Sequence, residues 1–283
     1  MGIFRPTELI HYLEEMGIRP RKSMSQNFLI DGNIIRKIIQ TAQVQPNDLV
    51  LEIGPGPGAL TEALLAAQAQ VIAVEKDPIL AQGLLRLQTP TGALTVIEAD
   101  ILELNLRELL AQKLKPPQKT KVIANLPYHI TTPILARLIP EYALLSKLVL
   151  MVQDEVARRF TALPYTSAYS SFTVFLEYYA HVHYAFRVNQ NCFYPRPSVQ
   201  SAVVALTLHE PPSIADETEF FKMTRRAFEH RRKMLRASLP PLYLSQEITK
   251  ALSALGLNEK ARPEELSLDD FVKLFMHLSK SVS

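Results

Sequence analysis

The stretch "DLVLEIGPGPGALTEALLAAQ", residues 48–68, joins an apolar run to an amphipathic segment through a glycine-rich turn. The apolar residues before the turn are typical of a buried β-strand, and those after it have helical spacing. Gly54 and Gly56 lie in the turn, where glycine lets the backbone approach a ligand closely. The sequence therefore predicts a strand, a turn and a helix, with a ligand site at the carboxyl end of the strand.

The same alternation of strand and helix continues along the chain. We predict further strands at 69–77, 94–100, 121–128 and 147–153, with helical segments at 78–88, 106–115 and 132–140. These strands are apolar throughout, which is typical of parallel strands covered on both faces. We therefore predict an α/β fold with a doubly wound, Rossmann-like sheet. Two more strands, at 181–188 and 198–208, have no clear helix between them and predict an antiparallel finish.

A change of pattern near residue 210 predicts a second domain. The segment "HEPPSIADETE", 209–219, contains paired prolines, and the remaining segments are helical. We expect residues 1–209 to form the α/β domain with an N-terminal helical extension. Residues 210–283 are expected to form a smaller all-helical domain.

Composition excludes several classes of protein. The chain of 283 residues is 47% hydrophobic, which is ample for a core. Its one cysteine, Cys192, cannot form an internal disulfide, so we expect a reducing, cytoplasmic location. No apolar window is long enough to span a membrane, and the seven histidines lack paired metal spacing. We predict no metal site, and we expect Cys192 to be a small packed residue rather than a nucleophile.

Basic residues are concentrated in the predicted helical domain, although the net charge is only +3. A charge run is most often a solvated helix face, and the sharper alternative is a phosphate-binding patch. Charge alone does not decide between them. The residues concerned are Lys222, Arg225, Arg226, Arg231, Arg232, Lys233 and Arg236, with a second cluster at Arg19, Arg21 and Lys22.

Acidic residues end the two strands that follow the glycine turn. Gly54, Gly56 and Ala59 match the spacing of a nicotinamide dinucleotide site, which is one candidate. Glu75 ends the next strand, where a carboxylate can accept both hydroxyls of an adenosine ribose. Asp100 ends the third strand, and there it can bind a ligand or cap the next helix. Nucleoside binding at this edge is expected whether the cofactor is a nicotinamide dinucleotide or another nucleoside cofactor.

The segment "KVIANLPYHI", 121–130, completes a set of motifs that resembles a known class of enzyme. "EIGPGPGALT", Glu75, Asp100 and "NLPY" occur in the order found in class I S-adenosylmethionine-dependent methyltransferases that act on exocyclic amines. The resemblance narrows to the small-subunit (16S-type) rRNA adenine dimethyltransferases, the family linked to kasugamycin resistance. It extends from about residue 19 to about residue 275, through "SQNFL", "NLPYHITTP", "MVQDEVARRF", "FYPRPSVQSAVV" and "RRKMLRASL".

The resemblance implies a role for each matching residue. The cofactor site would comprise Asn27, Leu29, Gly54, Gly56, Glu75, Asp100 and Asn125. In the catalytic loop, the Asn125 side chain and the Leu126 carbonyl would accept the two N–H bonds of an adenine amine. Pro127 would stiffen the loop, and Tyr128 would stack on the base. Phe193 is either a second face of that stack or a packed aromatic residue.

Three positions depart from the family pattern. Ser25 stands where glycine is usual, His129 where asparagine is usual, and Asp154 where lysine is expected. None of the residues assigned to the cofactor or to catalysis is affected.

The implied function is transfer of methyl groups from S-adenosylmethionine to two adjacent adenosines in the 3′-terminal hairpin of small-subunit rRNA. The expected partner is a pre-ribosomal small subunit, bound by a monomer through the basic residues. Three alternatives remain: a large-subunit rRNA methyltransferase of the macrolide-resistance type, an assembly factor without turnover, and a dehydrogenase. The segments "RRKMLRASL" and "RPEELSLDDF" favour the small-subunit family, and the dehydrogenase lacks a hydride-transfer acid or base.

Overall fold

The computed structural model describes residues 6–18, 27–114, 117–127 and 130–280. The chain divides into two compact units, of which the first comprises Met1–Ala157 and Val182–His209. The second comprises Arg158–His181 and Glu210–Ser283. One division falls after His209, beside the paired prolines. Arg158–His181 groups with the helical unit, whereas the sequence placed this segment in the first domain.

Strands form the centre of the first unit. In chain order they are β1 (Phe28–Leu29), β2 (Leu49–Ile53), β3 (Gln70–Glu75), β4 (Leu94–Glu98), β5 (Thr120–Asn125), β6 (Leu145–Gln153), β7 (Ala180–Val188), β8 (Phe193–Tyr194) and β9 (Ser201–Leu208). The main sheet has the order β4-β3-β2-β5-β6-β9-β7, and β1 pairs with β8 in a separate two-stranded sheet.

Strand pairing confirms the predicted doubly wound architecture. The pairs β2–β3, β3–β4, β2–β5 and β5–β6 are parallel, and β6–β9 is antiparallel. The chain moves outward from β2 to β4 and then returns to place β5 on the other side of β2. In an open α/β sheet a crevice forms at the carboxyl ends of the strands where the order reverses. The sheet therefore predicts a ligand site beyond Ile53 and Asn125.

Helices of the first unit cover the sheet and carry caps that the sequence encodes. They are α1 (Pro6–Glu15), α2 (Gly32–Ala42), α3 (Ala59–Ala66), α4 (Pro78–Leu84), α5 (Leu106–Ala111), α6 (Thr131–Leu138) and α7 (Asp154–Phe160), which continues into the second unit. Asp31 caps α2 by accepting hydrogen bonds from the amides of Asn33 and Ile34. Asp77 caps α4 in the same way. Each cap satisfies amides that the helix itself leaves free.

An aromatic core holds the second unit together. Its helices are α8 (Ser171–Tyr179), α9 (Glu217–Glu229), α10 (Leu235–Ser238), α11 (Ser245–Ala254) and α12 (Leu268–Lys280). The Tyr178 and Phe220 rings lie 5.4 Å apart between their centroids. The Tyr178 and Tyr179 hydroxyls both donate to the Glu217 carboxylate, at 3.2 Å and 2.7 Å. These contacts join α8 to α9, and they explain why α8 groups with the helical unit.

The basic segment 219–239 belongs to the region predicted to be helical, but it does not form one continuous helix. Helix α9 ends at Glu229, and a turn follows in which the Lys233 amide donates to the His230 carbonyl at 2.7 Å. The Leu235 amide then donates to the carbonyl of Ala261 at 2.9 Å. A hydrogen bond to a distant segment thus replaces the helical one at this point.

Candidate functional site

The turn after β2 requires glycine at its centre. Gly54 and Gly56 have φ values of +64° and +57°, which side chains disfavour. A Cβ atom on Gly56 would lie 3.1 Å from two ring atoms of Phe28. The turn is therefore tight against the segment that leads into β1, and its backbone lies at the edge of the predicted crevice.

Glu75 supports this turn from the end of β3. Its Oε2 accepts a hydrogen bond from the Gly56 amide, and its Oε1 accepts one from the Asp77 amide, both at 2.9 Å. Burial raises the pKa of Glu75, and these two hydrogen bonds oppose the rise. The carboxylate thus fixes the turn, and each oxygen retains a lone pair for a further donor.

Asp100 has an ion-pair partner that the sequence did not predict. Its Oδ2 lies 2.7 Å from Lys76 Nζ, and its Oδ1 accepts a hydrogen bond from the Leu102 amide at 2.9 Å. The hydrogen bond to Lys76 lowers the pKa of Asp100. The amide contact lies within a turn and does not cap the next helix, because the N-cap of α5 is Asn105. The charged carboxylate remains at the strand ends.

Asn125 ends β5 next to the glycine turn and has a defined side-chain orientation. Its Nδ2 donates to the Asn27 carbonyl at 3.0 Å, so its Oδ1 points away from Asn27. The next residue, Leu126, is buried, and its amide donates to Met151 O at 3.2 Å. The Pro127 carbonyl accepts a hydrogen bond from the Ile130 amide at 3.2 Å.

Six residues discussed in the sequence analysis lie outside the described residues: Arg19, Arg21, Lys22, Ser25, Tyr128 and His129. Phe193 lies in β8 opposite Leu29 and is only 3% exposed. Its ring belongs to the core cluster that contains Leu29 and Val188. This position favours the packed aromatic role over the base-stacking role.

A small cavity connects the turn with the ends of β1 and β5. Its volume is about 40 Å³, and its wall includes Phe28, Leu29, Glu52, Gly54 and Asn125. Such a cavity holds a water molecule or a small part of a ligand, while a whole nucleoside needs the open crevice beside it. The structure therefore brings together Leu29, Gly54 and Asn125, which the sequence assigned to one cofactor.

Glu52 is the member of this cavity that the sequence analysis missed. It is 1% exposed, and neither carboxylate oxygen has a hydrogen-bond partner among the described residues. Burial raises the pKa of Glu52 to about 8. An acidic residue within the apolar run "LVLEIG" was the available signal. Together with the glycine turn, an orphaned carboxyl facing the cavity fits a cationic nucleoside cofactor.

The predicted basic patch divides into engaged and exposed residues. Arg231 donates to the carbonyls of Thr166, at 2.7 Å, and Ser167, and it lies 3.8 Å from Glu264. Arg226 pairs with Glu229. In contrast, Arg225, Arg232 and Lys233 are exposed, and Arg236 is partly exposed. The structure thus gives Arg231 and Arg226 internal roles and leaves the exposed cations to solvent or a ligand.

Cys192 and Asp154 have structural contacts. Cys192 Sγ lies 3.4 Å from Asp31 Oδ2, and burial together with this carboxylate raises the pKa of the thiol. A raised pKa opposes nucleophilic chemistry. Asp154, the departure from the expected lysine, accepts a hydrogen bond from the Tyr184 hydroxyl at 2.5 Å.

The described parts of the chain contain no group of three or more His, Cys, Asp or Glu side chains arranged to hold a metal ion. None of their helices is both long enough and apolar enough to span a lipid bilayer.

Comparison with known proteins gives consistent results. The sequence model of the family described as "Ribosomal RNA adenine dimethylase" matches residues 17–280. "Ribosomal RNA small subunit methyltransferase A" of Protochlamydia amoebophila is 56% identical, over 99% of both chains. The protein of the same name from Chlamydia trachomatis serovar D is 48% identical, over 97% of this chain and 98% of the relative.

Two solved structures resemble the fold over most of the chain. A dimethyladenosine transferase from Plasmodium falciparum has a TM-score of 0.77 and 27% identity, covering 90% of this chain and 98% of the other. The 23S rRNA methyltransferase ErmE has a TM-score of 0.68 and 27% identity, covering 89% and 100%. The curated relatives favour the small-subunit group over the large-subunit alternative.

Proposed function

The chain belongs to the ribosomal RNA adenine dimethylase family, and from this premise we propose that it methylates two adjacent adenosines in the 3′-terminal hairpin of small-subunit rRNA. Each exocyclic amine would receive two methyl groups. The observation that carries this proposal is the position of Asn125 at the end of β5, beside the glycine turn that ends β2. A base-binding loop and a cofactor-binding turn would thus share one crevice.

S-adenosylmethionine, when bound, supplies a methyl group on a positively charged sulfur. We propose that Gly54, Gly56 and Glu75 hold its nucleoside, with Asp100 beside them at the strand ends. The amide hydrogen bonds from Gly56 and Asp77 orient the Glu75 carboxylate, so its remaining lone pairs can accept ribose hydroxyls. Asn27 is linked to the site because its carbonyl accepts the hydrogen bond from Asn125 Nδ2. Leu29 lines the small cavity together with Gly54.

The catalytic loop would act mainly by positioning the adenine amine. This amine is a poor nucleophile because its lone pair is delocalised into the ring. Asn125 Oδ1 and the Leu126 carbonyl would accept its two N–H bonds, which directs the lone pair towards the methyl group. The hydrogen bond from Asn125 Nδ2 to Asn27 supports this role because it turns Oδ1 away from Asn27. Pro127 would stiffen the loop, and Tyr128 would stack on the base.

RNA binding would use the exposed cations of the helical unit. Arg225, Arg232 and Lys233 can contact phosphates without losing an ion pair recorded in the described residues. Arg236 lines a groove with Lys250 and can contribute as well. Arg21 and Lys22 remain predicted contacts. We further propose that the chain acts as a monomer on a pre-ribosomal small subunit in the cytoplasm. The rRNA substrate supports the ribosomal partner.

The proposal can be tested with labelled S-adenosylmethionine. The protein is incubated separately with immature small subunits, mature small subunits and protein-free large-subunit rRNA, and dimethyladenosine is mapped. We expect label in the small-subunit hairpin of immature particles. Label confined to large-subunit rRNA would instead assign the chain to the macrolide-resistance type. Absence of transfer by a protein that binds both cofactor and particle would support an assembly factor.

Cofactor binding has a separate test. Glu75→Ala removes an acceptor for the ribose and a support of the turn, so affinity for S-adenosylhomocysteine should fall by tenfold or more, since a charged hydrogen bond contributes about 1.5–3 kcal/mol. Glu108→Ala on the exposed face of α5 is the matched control. Equal affinity of both variants in calorimetric titration would show that Glu75 is only a strand-end carboxylate.

A further inference from the structure

Glu52 carries a buried carboxyl group near the carboxyl end of β2, the strand that lies between β3 and β5. In the sheet, Glu52 lies opposite Ala73 of β3 on one side and Ile123 of β5 on the other. Its side chain is 1% exposed. Both oxygens lack hydrogen-bond partners among the described residues. Burial of a polar group without a partner costs about 1–3 kcal/mol by mutational measures, so packing does not explain its presence.

Among the residues that the structure describes, those lining the cavity with Glu52 carry no positive charge. The cavity wall near it is formed by Ile38 of α2, Leu60 of α3, Asn125 of β5 and Met151 of β6. Thr61 of α3 faces the carboxyl, and both its hydroxyl and its backbone amide oppose the rise in the pKa of Glu52, although the Thr61 hydroxyl lacks a hydrogen bond of good geometry.

A second carboxylate near Glu52 is that of Glu75, in β3. Repulsion by this carboxylate reinforces the effect of burial on the pKa of Glu52. The site therefore favours a cation that would compensate the carboxylate of Glu52.

The cavity places this carboxyl against the proposed cofactor site. Gly54 follows Glu52 by two residues, and Gly54, Leu29 and Asn125 line the same cavity. The methyl donor has a positively charged sulfur, whereas the sulfur of the product S-adenosylhomocysteine is uncharged. Donor and product carry the same ammonium and carboxylate groups and differ in charge only at the sulfur. A negative charge buried near that sulfur stabilises the donor more than the product, because electrostatic interactions are weakly screened inside a protein.

We propose that Glu52 determines the selectivity of this site for the methyl donor, whose sulfur is positively charged, over the product, whose sulfur is uncharged. The inference rests on the proposed function, because it takes S-adenosylmethionine as the donor. Dimethylation of one amine consumes two donors, so a product must leave before the second transfer. Preferential binding of the charged donor would promote that exchange.

Proton linkage follows from the environment of Glu52. In the cofactor-free protein its pKa is about 8, so at pH 7 the carboxyl is mostly protonated. Binding of the cationic donor lowers the pKa, and the carboxyl releases its proton to solvent. After methyl transfer the sulfur is neutral, and the carboxyl takes up a proton from solvent. Donor affinity should therefore rise with pH until the pH exceeds about 8.

Calorimetry of the full chain tests this inference without requiring turnover. S-adenosylmethionine and S-adenosylhomocysteine are each titrated in buffers of different ionisation enthalpy, which gives the number of protons released. We expect wild type to release more protons with the donor than with the product at pH 7. The ratio of donor to product affinity should increase between pH 6 and pH 9. The total increase should be about tenfold for each unit by which the bound donor lowers the pKa of Glu52.

The variant Glu52→Gln preserves the shape of the side chain and removes its titration. We expect its affinity ratio to be lower than that of wild type at pH 8 and independent of pH. Glu108→Gln, on the exposed face of α5, is the matched control and should behave as wild type. If Glu52→Gln does not fold, the proton count of wild type still decides the question.

The outcomes separate this inference from the proposed function. If wild type binds neither ligand, the proposed cofactor is wrong. If wild type binds both ligands with equal proton release, the inference is overturned while the proposed function stands. A Glu52→Gln variant that weakens both ligands equally would also overturn it, because that result indicates a contact shared by donor and product.

Discussion

Arg231 and Arg232 are adjacent arginines for which the structure predicts opposite effects. The Arg231 guanidinium donates to two carbonyls of the 161–168 loop and lies near Glu264, with its side chain 33% exposed. Hydrogen bonds of charged groups contribute about 1.5–3 kcal/mol each when buried. Partial exposure reduces that contribution. Arg231→Ala should therefore destabilise the helical unit by about 2–3 kcal/mol, whereas Arg232→Ala should change its stability by about 0.5 kcal/mol or less.

RNA binding should show the reverse order. If the exposed Arg232 contacts a phosphate, Arg232→Ala should reduce the slope of log affinity against log salt concentration by about 0.7–0.9. Arg231→Ala should leave that slope unchanged. The assays are urea unfolding followed by circular dichroism, and filter binding of small-subunit rRNA over a salt series. An Arg231→Ala variant that flattens the slope without losing stability would refute the reasoning.

Three further predictions concern the cofactor and base sites. Because the folded-state pKa of Glu52 is raised from 4.5 to about 8, its contribution to stability is lost as pH rises from about 5 to 8. Urea midpoints should show that Glu52→Gln becomes more stable than wild type towards pH 8, by a few kcal/mol, and a constant difference would contradict this. Asn125→Ala should lower single-turnover methyl transfer by roughly 100-fold to 1000-fold, whereas the exposed Asn191→Ala should not. Gly56→Ala should cost more unfolding free energy than Gly92→Ala, because both residues have positive φ but only the Gly56 Cβ would crowd Phe28. Equal losses for the two alanines, measured by thermal unfolding, would exclude that crowding.

Local sequence patterns predicted those features of the fold that depend on neighbouring residues. The order of strands β2–β6 and of the helices α3–α6 between them, the glycine turn and the strand-end positions of Glu75 and Asn125 all follow from such patterns. The short strands β1 and β8 and the helices α2, α7 and α8 were not predicted. Features that depend on distant contacts were missed. The Asp100–Lys76 pair joins residues 24 apart. The basic segment is broken after Glu229, and α10 begins at Leu235, whose amide bonds to the distant Ala261 carbonyl.

The sequence also could not distinguish structural from exposed charges. Arg231 and Arg232 are neighbours in the same basic run, yet only Arg231 reaches the carbonyls of Thr166 and Ser167. Glu52 was overlooked for a related reason. A single acid in an apolar strand shows its significance only when its side chain is known to be buried without a partner.

The division of each unit between two separate segments has a consequence for synthesis. Tyr179 of α8 leaves the ribosome before its partner Glu217, which lies 38 residues later in the sequence. Strand β6 likewise precedes β9, which pairs with it from Lys147 to Gln153. A nascent chain that ends between these elements therefore exposes an aromatic helix and an open strand edge, both of which favour aggregation. Translational pauses between residues 180 and 217 should accordingly reduce the yield of folded protein.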